Sequence, residues 1–370
     1  MLVEVAALER SEQCTPATDG SSTWETTGVS VTLSLDDVET LARRVLLASG
    51  ASPLQAGATA RSIREGEADG IRNVALGYLP TYADHVACGK VVGGAVPVIT
   101  RPRPAVVSVD ARHGFAHPAF ELGAPVVVEV ARSLGIGLLT ISHSYSAGIL
   151  GWFVEQLAGD GLVAVMFANS SSTMAPWGGK APFFGTNPIA WAVPRGDGSA
   201  VVGDLSSSAV AWVTVNDAAA SGRPIPLGWA LDPDGEPTTD AAAGLAGTIA
   251  PSGGHKGSAF ALLVDLLAGG LTGSSFSFEA SGFGGNVGGP PDVGQTFLVI
   301  DPSATAGPGF AARVEADLTA MTAQPGVRLP GARRIAHRAG ARASGVEVPD
   351  ELFALLSTYA ENGSPARSGE

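Results

Sequence analysis

The stretch IGLLTIS, residues 136–142, most constrains the fold. It is a short, almost wholly apolar run rich in branched residues, and it reads as a buried strand. It lies between two helical patterns, ELGAPVVVEVARSLG (121–135) and GWFVEQLAGDG (151–161), and a second strand, LVAVMFANS (162–170), follows. A strand buried on both faces needs helices to cover it, so this alternation places the middle of the chain in the α/β class. AVVSVD before it, and PIAWAVP, AVVGDLSSS and QTFLVIDP after it, add further strands.

Around this centre the chain divides by pattern. Residues 1–30 are polar, aperiodic and turn-rich, and read as a flexible extension. Residues 31–103 read as a helical module. In SLDDVETLARRVLLASG, Ser34 is the N-cap, Asp36 and Asp37 occupy the first turn, and Leu35, Val38, Leu41 and Val45 share one face. Gly50 ends that helix and Pro53 opens the next. Residues 104–250 form the central α/β region, and 251–330 contribute a helix opened by a glycine-rich loop and the late strand. Residues 331–370 form a helical C-terminal segment, with a basic connector around Arg333, Arg334, His337 and Arg338. The glycine-rich SGFGGNVGGPPDVG, residues 281–294, reads as a surface loop.

Charge narrows the partners. A formal net charge of -13 repels phosphate backbones and anionic headgroups, so neither nucleic acid nor membrane is expected. No apolar run approaches the roughly 18 residues of a transmembrane helix, and the N-terminus lacks a basic region before its apolar run. Cys14 and Cys88 form neither a disulfide framework nor a Cys-x-x-Cys pair, which fits a reducing cytoplasm and implies no metal. His113 and His117 are spaced i, i+4, yet a capping or core role accounts for them better than a metal.

Two segments carry chemistry. APWGGKAPFFGTNPIAWAVP, residues 175–194, sets glycines beside a tryptophan and the polar Thr186 and Asn187, letting backbone approach a flat ligand; its glycines serve turns equally well. GGHKG, residues 253–257, precedes a helix whose free N–H groups and dipole suit a phosphate. It is not a Walker A loop, and without context it reads as a capped turn.

Together with GWALDPDGEPTTD (228–240), these segments resemble, in order and spacing, the malate/L-lactate dehydrogenase-like family, from about residue 33 to about residue 330. The resemblance implies a non-Rossmann nicotinamide fold with a mixed sheet, a cytoplasmic homodimer with its site between domains and subunits, and NADPH or NADH as cofactor. Residues 31–103 would then take part in dimerisation and the substrate region. Carried over position by position, the cofactor contacts would be Asn169 and Ser170, Trp177, Gly178 and Gly179, Asp204, Leu205 and Ser206, His255 and Lys256, with Arg333 from the tail.

The catalytic positions depart from the family pattern. Where members show RGIDSHGLARLPRY this chain has DGIRNVALGYLPTY, residues 69–82, which puts Val74 at the histidine and Tyr78 at the substrate-gripping arginine. Where they show SNHFGAAGYY it has SYSAGILGWF, residues 144–153, so Ser146 stands at the second histidine. The basic VARGK segment becomes VAWVT, residues 210–214. Carbonyl reduction needs a proton donor poised near neutral pH, a role valine cannot fill, whereas an iminium already carries its proton. Candidate replacement groups are Ser146, Tyr78, Tyr145 and His143, with Arg72, Val74, Ser144 and Trp152 as substrate-side residues. The expected activity is reduction of an imine or ketone of a small, specialised-metabolism substrate. The alternative is a non-redox cyclase or isomerase on the same fold.

Overall fold

The computed structural model describes residues 28–366, so the extension expected over 1–30 lies outside the described residues except for its last three. The strand β1 (Ser30–Leu33) leads into α1 (Leu35–Ala48) and α2 (Pro53–Ala68). Ser34 caps α1 through a reciprocal pair of bonds with Asp37: its hydroxyl accepts the Asp37 N–H at 3.1 Å, and the Asp37 carboxylate accepts the Ser34 N–H at 3.3 Å. Two single 3₁₀ turns, Arg72–Val74 and Leu76–Tyr78, then open into α3 (Leu79–Ala87).

The central sheet is entered by β2 (Val98–Arg103) and β3 (Val106–Asp110), followed by α4 (Ala116–Leu134), β4 (Ile136–Ser144), α5 (Leu150–Gly159), β5 (Val163–Ala168), β6 (Ile189–Pro194) and β7 (Ala200–Leu205). A small lobe holds α6 (Trp212–Ala220), β8 (Ala230–Leu231), β9 (Pro237–Thr238), α7 (Ala241–Ala246) and β10 (Thr248–Ile249). After it come α8 (His255–Asp265), β11 (Val293–Ile300), α9 (Phe310–Thr322), α10 (Ala332–Ser344), β12 (Val346–Pro349) and α11 (Asp350–Asn362). The main sheet has seven strands in the order β2-β3-β4-β11-β5-β6-β7. β3 and β4 are parallel and every other neighbouring pair is antiparallel, so the late strand β11 is inserted between two strands formed early. This is the mixed sheet expected from the sequence.

Two cores result. Phe120 of α4 and Phe153 of α5 pack on Leu139, Ile141 and Phe297 of the sheet. The second core joins Val38, Leu46, Ile63 and Leu79 of the N-terminal helices to Val348, Leu352 and Leu356 of the C-terminal segment, and β1 pairs antiparallel with β12. The basic segment anticipated as a connector is instead helix α10. It is held because Arg338 forms forked pairs with Asp69, at 2.7 and 3.0 Å, and with Glu155, at 2.6 and 2.8 Å. Among the described residues no helix is long and apolar enough to cross a membrane, and no group of three or more His, Cys, Asp and Glu is placed to hold a metal ion.

Candidate active site

The Val74 segment and the Ser146 segment are brought together by a close approach of α2. A Cβ on Gly66 would lie 2.4 Å from Ile149 Cδ1 and 2.9 Å from Ala75 Cβ, so only glycine lets the helix touch both. Beside this contact opens a cleft of about 730 Å³, lined by Val74, Gly148, Asp204, Leu205, Arg328 and Arg333 among others. Residues expected on the substrate side and on the cofactor side therefore share one cavity, although they come from segments more than a hundred positions apart. Burial pushes the Asp204 carboxyl up, opposed by the Gly151 N–H it accepts at 2.8 Å and by Arg334. Ser146 is half-buried, and its hydroxyl accepts the Gly148 N–H at 3.2 Å.

A second group of expected cofactor residues forms a ridge at the start of α8. Trp177 is 64 % exposed and meets His255 edge-on with ring centroids 6.2 Å apart. Gly254, with φ 66°, fits under the indole, where a Cβ would come within 3.0 Å of the ring. Gly178, Gly179, His255 and Lys256 are exposed on the same ridge, and the Trp177 N–H donates to Ser258 at 2.9 Å. Ser206 donates to the Ser208 carbonyl at 3.1 Å, and Ser170 is half-buried with its N–H 3.4 Å from the Asn187 side-chain oxygen.

Other expected site residues point elsewhere. Asn169 is buried, giving its amide to the Ser275 carbonyl at 2.8 Å and taking the Gly294 N–H at 3.0 Å, which ties β5 to the approach of β11. Ser144 is buried and donates to Val293 or Gln295. Arg72 bonds Glu67 at 3.1 Å and the Glu347 carbonyl, and so faces a different cleft, shared with His337. Trp152 packs on His117, Phe120 and Phe153 and lines a third cleft with Arg61 and Arg338. His143, next to the end of β4, sits in the left-handed region at φ 48° and pairs with Asp110 at 3.1 Å; this bond helps hold the Asp110 carboxyl below its usual range against the opposing effect of burial. His117 is buried and stacks on Phe153, with ring centroids 5.2 Å apart, as a core histidine.

Behind Val74 and Ser146, three of the chain's four tyrosines make one aromatic cluster. Tyr82 meets Tyr78 edge-on at 4.9 Å and Tyr145 at 5.9 Å, and Phe115 and Phe283 close the group around Tyr145. Tyr145 is fully buried and lies 2.5 Å from His85 Nδ1, while His85 Nε2 lies 3.0 Å from the Gly285 carbonyl. Sequence reasoning missed His85, a single histidine on the buried face of α3 with no local motif around it. Lys90, also buried, donates to the carbonyls of Gly282, Gly285 and Val287. The glycine-rich loop is thereby fastened over the cluster.

Comparison with known proteins fits this architecture. The chain is 45% identical over 328 residues, covering 89% of this chain and 98% of the relative, to (2R)-3-sulfolactate dehydrogenase (NADP(+)) of Chromohalobacter salexigens. It is 41% identical, over 90% of this chain and 99% of the relative, to Delta(1)-pyrroline-2-carboxylate reductase of Ancylobacter novellus. The crystal structure of delta1-piperideine-2-carboxylate reductase from Pseudomonas syringae pvar. tomato superposes with a TM-score of 0.85 at 38% identity, covering 89% of this chain and 99% of that one. Fold, site and relatives together define an NAD(P)H-dependent oxidoreductase. The malate/L-lactate dehydrogenase family model matches residues 33–357, and the chain belongs to that family.

Proposed function

We propose that the chain is a cytoplasmic, homodimeric reductase that uses NADPH to reduce the C=N or C=O bond of a small molecule. The observation that carries the reading is the shared cleft, in which the Val74 turn faces Asp204, Leu205 and the basic Arg328 and Arg333. Its volume of about 730 Å³ is of the size that takes a small molecule or part of a dinucleotide. Its arginines supply local positive charge for phosphate in a chain of net charge -13, and the residues present fit a dinucleotide. Arg328 and Arg333 would hold phosphate, Asp204 a ribose hydroxyl, and Lys256 a further phosphate at the head of α8. When bound, the nicotinamide supplies hydride. Val74 excludes water from the reacting carbon, and the Ser146 and Tyr78 hydroxyls orient the substrate heteroatom.

NADP is the cofactor named for the sulfolactate relative, and the other two relatives are named for cyclic imine carboxylates, which supports both the cofactor and the substrate class. The non-redox alternative finds no support among these relatives. The outer side of α8 presents Phe260, Leu262 and Leu263, continued by Leu266 just after the helix and flanked by Phe278, all exposed, which supports pairing of two copies. Fluorescence titration with NADPH and NADH tests the reading, followed by turnover of Δ1-pyrroline-2-carboxylate and of a 2-oxo acid. NADPH is expected to bind more tightly, and failure of both cofactors to bind removes the reading. Sedimentation equilibrium tests the dimer.

A further inference from the structure

The cleft that carries the reductase reading is divided by charge. Its three arginines, Arg328, Arg333 and Arg334, all come from one strip of chain, where the connection from α9 enters α10. Arg334 is engaged already: it donates to the Val202 carbonyl at 3.3 Å and stands beside the acidic Asp204. The other walls bring apolar side chains. Ile71 and Val74 come from the first 3₁₀ turn and its entry, Ile149 from the head of α5, and Ala211 and Val213 from the head of α6. Asn73 stands among them as a neutral polar group. Neighbouring cations are engaged elsewhere. Arg72, between Ile71 and Asn73 in sequence, lines the cleft on the other side of the turn, where it bonds Glu67 at 3.1 Å and the Glu347 carbonyl. Arg61, Arg64 and Arg338 line the adjoining cleft that shares Ile149 with this one, and their carboxylate partners lie at 2.6, 2.7 and 2.7 Å.

We propose that the substrate carries an apolar group beside its C=N or C=O carbon, seated against Val74, Ala211 and Val213, and no carboxylate there. It thus differs from the carboxylates for which the relatives are named. The proposal rests on the reductase reading, in which Arg328 and Arg333 are taken up by cofactor phosphate. An apolar group gains by leaving water for such a wall. A carboxylate moved to the same place gives up its hydration and meets no cationic side chain. Val74 and Val213 are accordingly specificity-determining residues. The reaction balances for either acceptor: hydride adds at carbon and the π pair passes to nitrogen or oxygen. An iminium keeps the proton it brought and becomes an amine, a ketone takes one from water and becomes an alcohol, and NADPH leaves as NADP⁺.

The test uses two pairs of product-like ligands that differ by a phenyl in place of a carboxylate: 2-phenylpyrrolidine with proline, and 1-phenylethanol with lactate. Each is titrated calorimetrically into the full chain saturated with NADPH, where ligand and cofactor are both reduced and no chemistry follows. The phenyl member is expected to bind at least about tenfold more tightly in one pair or both. Val74→Lys and Val213→Lys place a cation on the apolar wall, and either is expected to tighten the carboxylate member at least about fivefold. Lost packing alone would weaken ligands and tighten none. The competing arrangement seats a carboxylate on the free N–H groups at the head of α6, and it gives the opposite preference. Carboxylate members that bind as tightly as their phenyl partners in both pairs, or phenyl members that do not bind, overturn the proposal while the reductase reading stands. So does a carboxylate affinity unmoved in a lysine variant that melts cooperatively. Failure of NADPH to bind removes the reductase reading and this proposal with it.

Discussion

His117 gives a stability prediction that is worked from its surroundings. The ring is buried, with Nδ1 lacking a hydrogen-bond partner, and burial with a smaller contribution from Arg61 pushes it down from 6.5 to about 3. The folded imidazole therefore stays neutral over a range where the unfolded one takes up a proton. Below 6.5 the unfolded chain binds more protons, so stability present above 6.5 is lost as pH falls toward about 3. At pH 5, about 1.5 units below the unfolded value, the loss is about 2 kcal/mol. His117→Leu keeps an apolar group of similar size, removes the orphan nitrogen, and removes this linkage. Urea unfolding at fixed protein concentration, at pH 8 and pH 5, is expected to show the wild type losing about 2 kcal/mol relative to the variant between the two. Groups common to both proteins, including the buried Glu67 and Asp204 whose carboxyls are pushed up, cancel in the difference. A difference that stays constant with pH refutes the assignment of His117 as a neutral core residue.

Three further perturbations address the site and its supports. Gly66→Ala should cost about 1–3 kcal/mol by driving a methyl into Ile149 and Ala75 and should lower kcat/KM; in the pair Gly66→Ala with Ile149→Ala the loss in thermal midpoint should be smaller than the sum of the two single losses, because one of the two clashes is relieved. Arg338→Met leaves Asp69, 6% exposed, without its cation and should cost about 3 kcal/mol or more in urea unfolding, while Arg338→Lys, which loses the fork, should recover only part. Lys256→Ala, at an exposed position at the head of α8, should weaken NADPH about tenfold by fluorescence titration with an unchanged melting temperature, and more so at low salt.

What could be read in advance follows from the range of the interactions involved. The Ser34 cap, Pro53 at the start of α2 and the apolar run of β4 depend on neighbours within a turn or a strand, so they were visible. Residues 331–370 read as helical, but the stretch around Arg338 read as a connector because its anchor finds Asp69 and Glu155 far away in sequence and the run is rich in arginine. Motif order singled out Trp177, Lys256 and Arg333, which lie on the exposed ridge at α8 and in the cleft, but the inward turn of Asn169 and Ser144 depends on how closely β11 passes. His85 was invisible for a related reason. Its role is defined by Tyr145 and by the Gly285 carbonyl, two hundred residues further along the chain.

The pairing of β1 with β12 has a consequence for how the chain is made. During synthesis the helices α1 to α3 emerge long before Val348, Leu352 and Leu356, and the apolar face those residues cover stays open throughout that interval. Pairing of β12 with β1 closes a long loop, and the closure entropy of so long a loop makes that step slow. A cell producing this protein must shelter that half-core until residues 346–356 arrive, and a chain cut before Val346 would leave it exposed permanently.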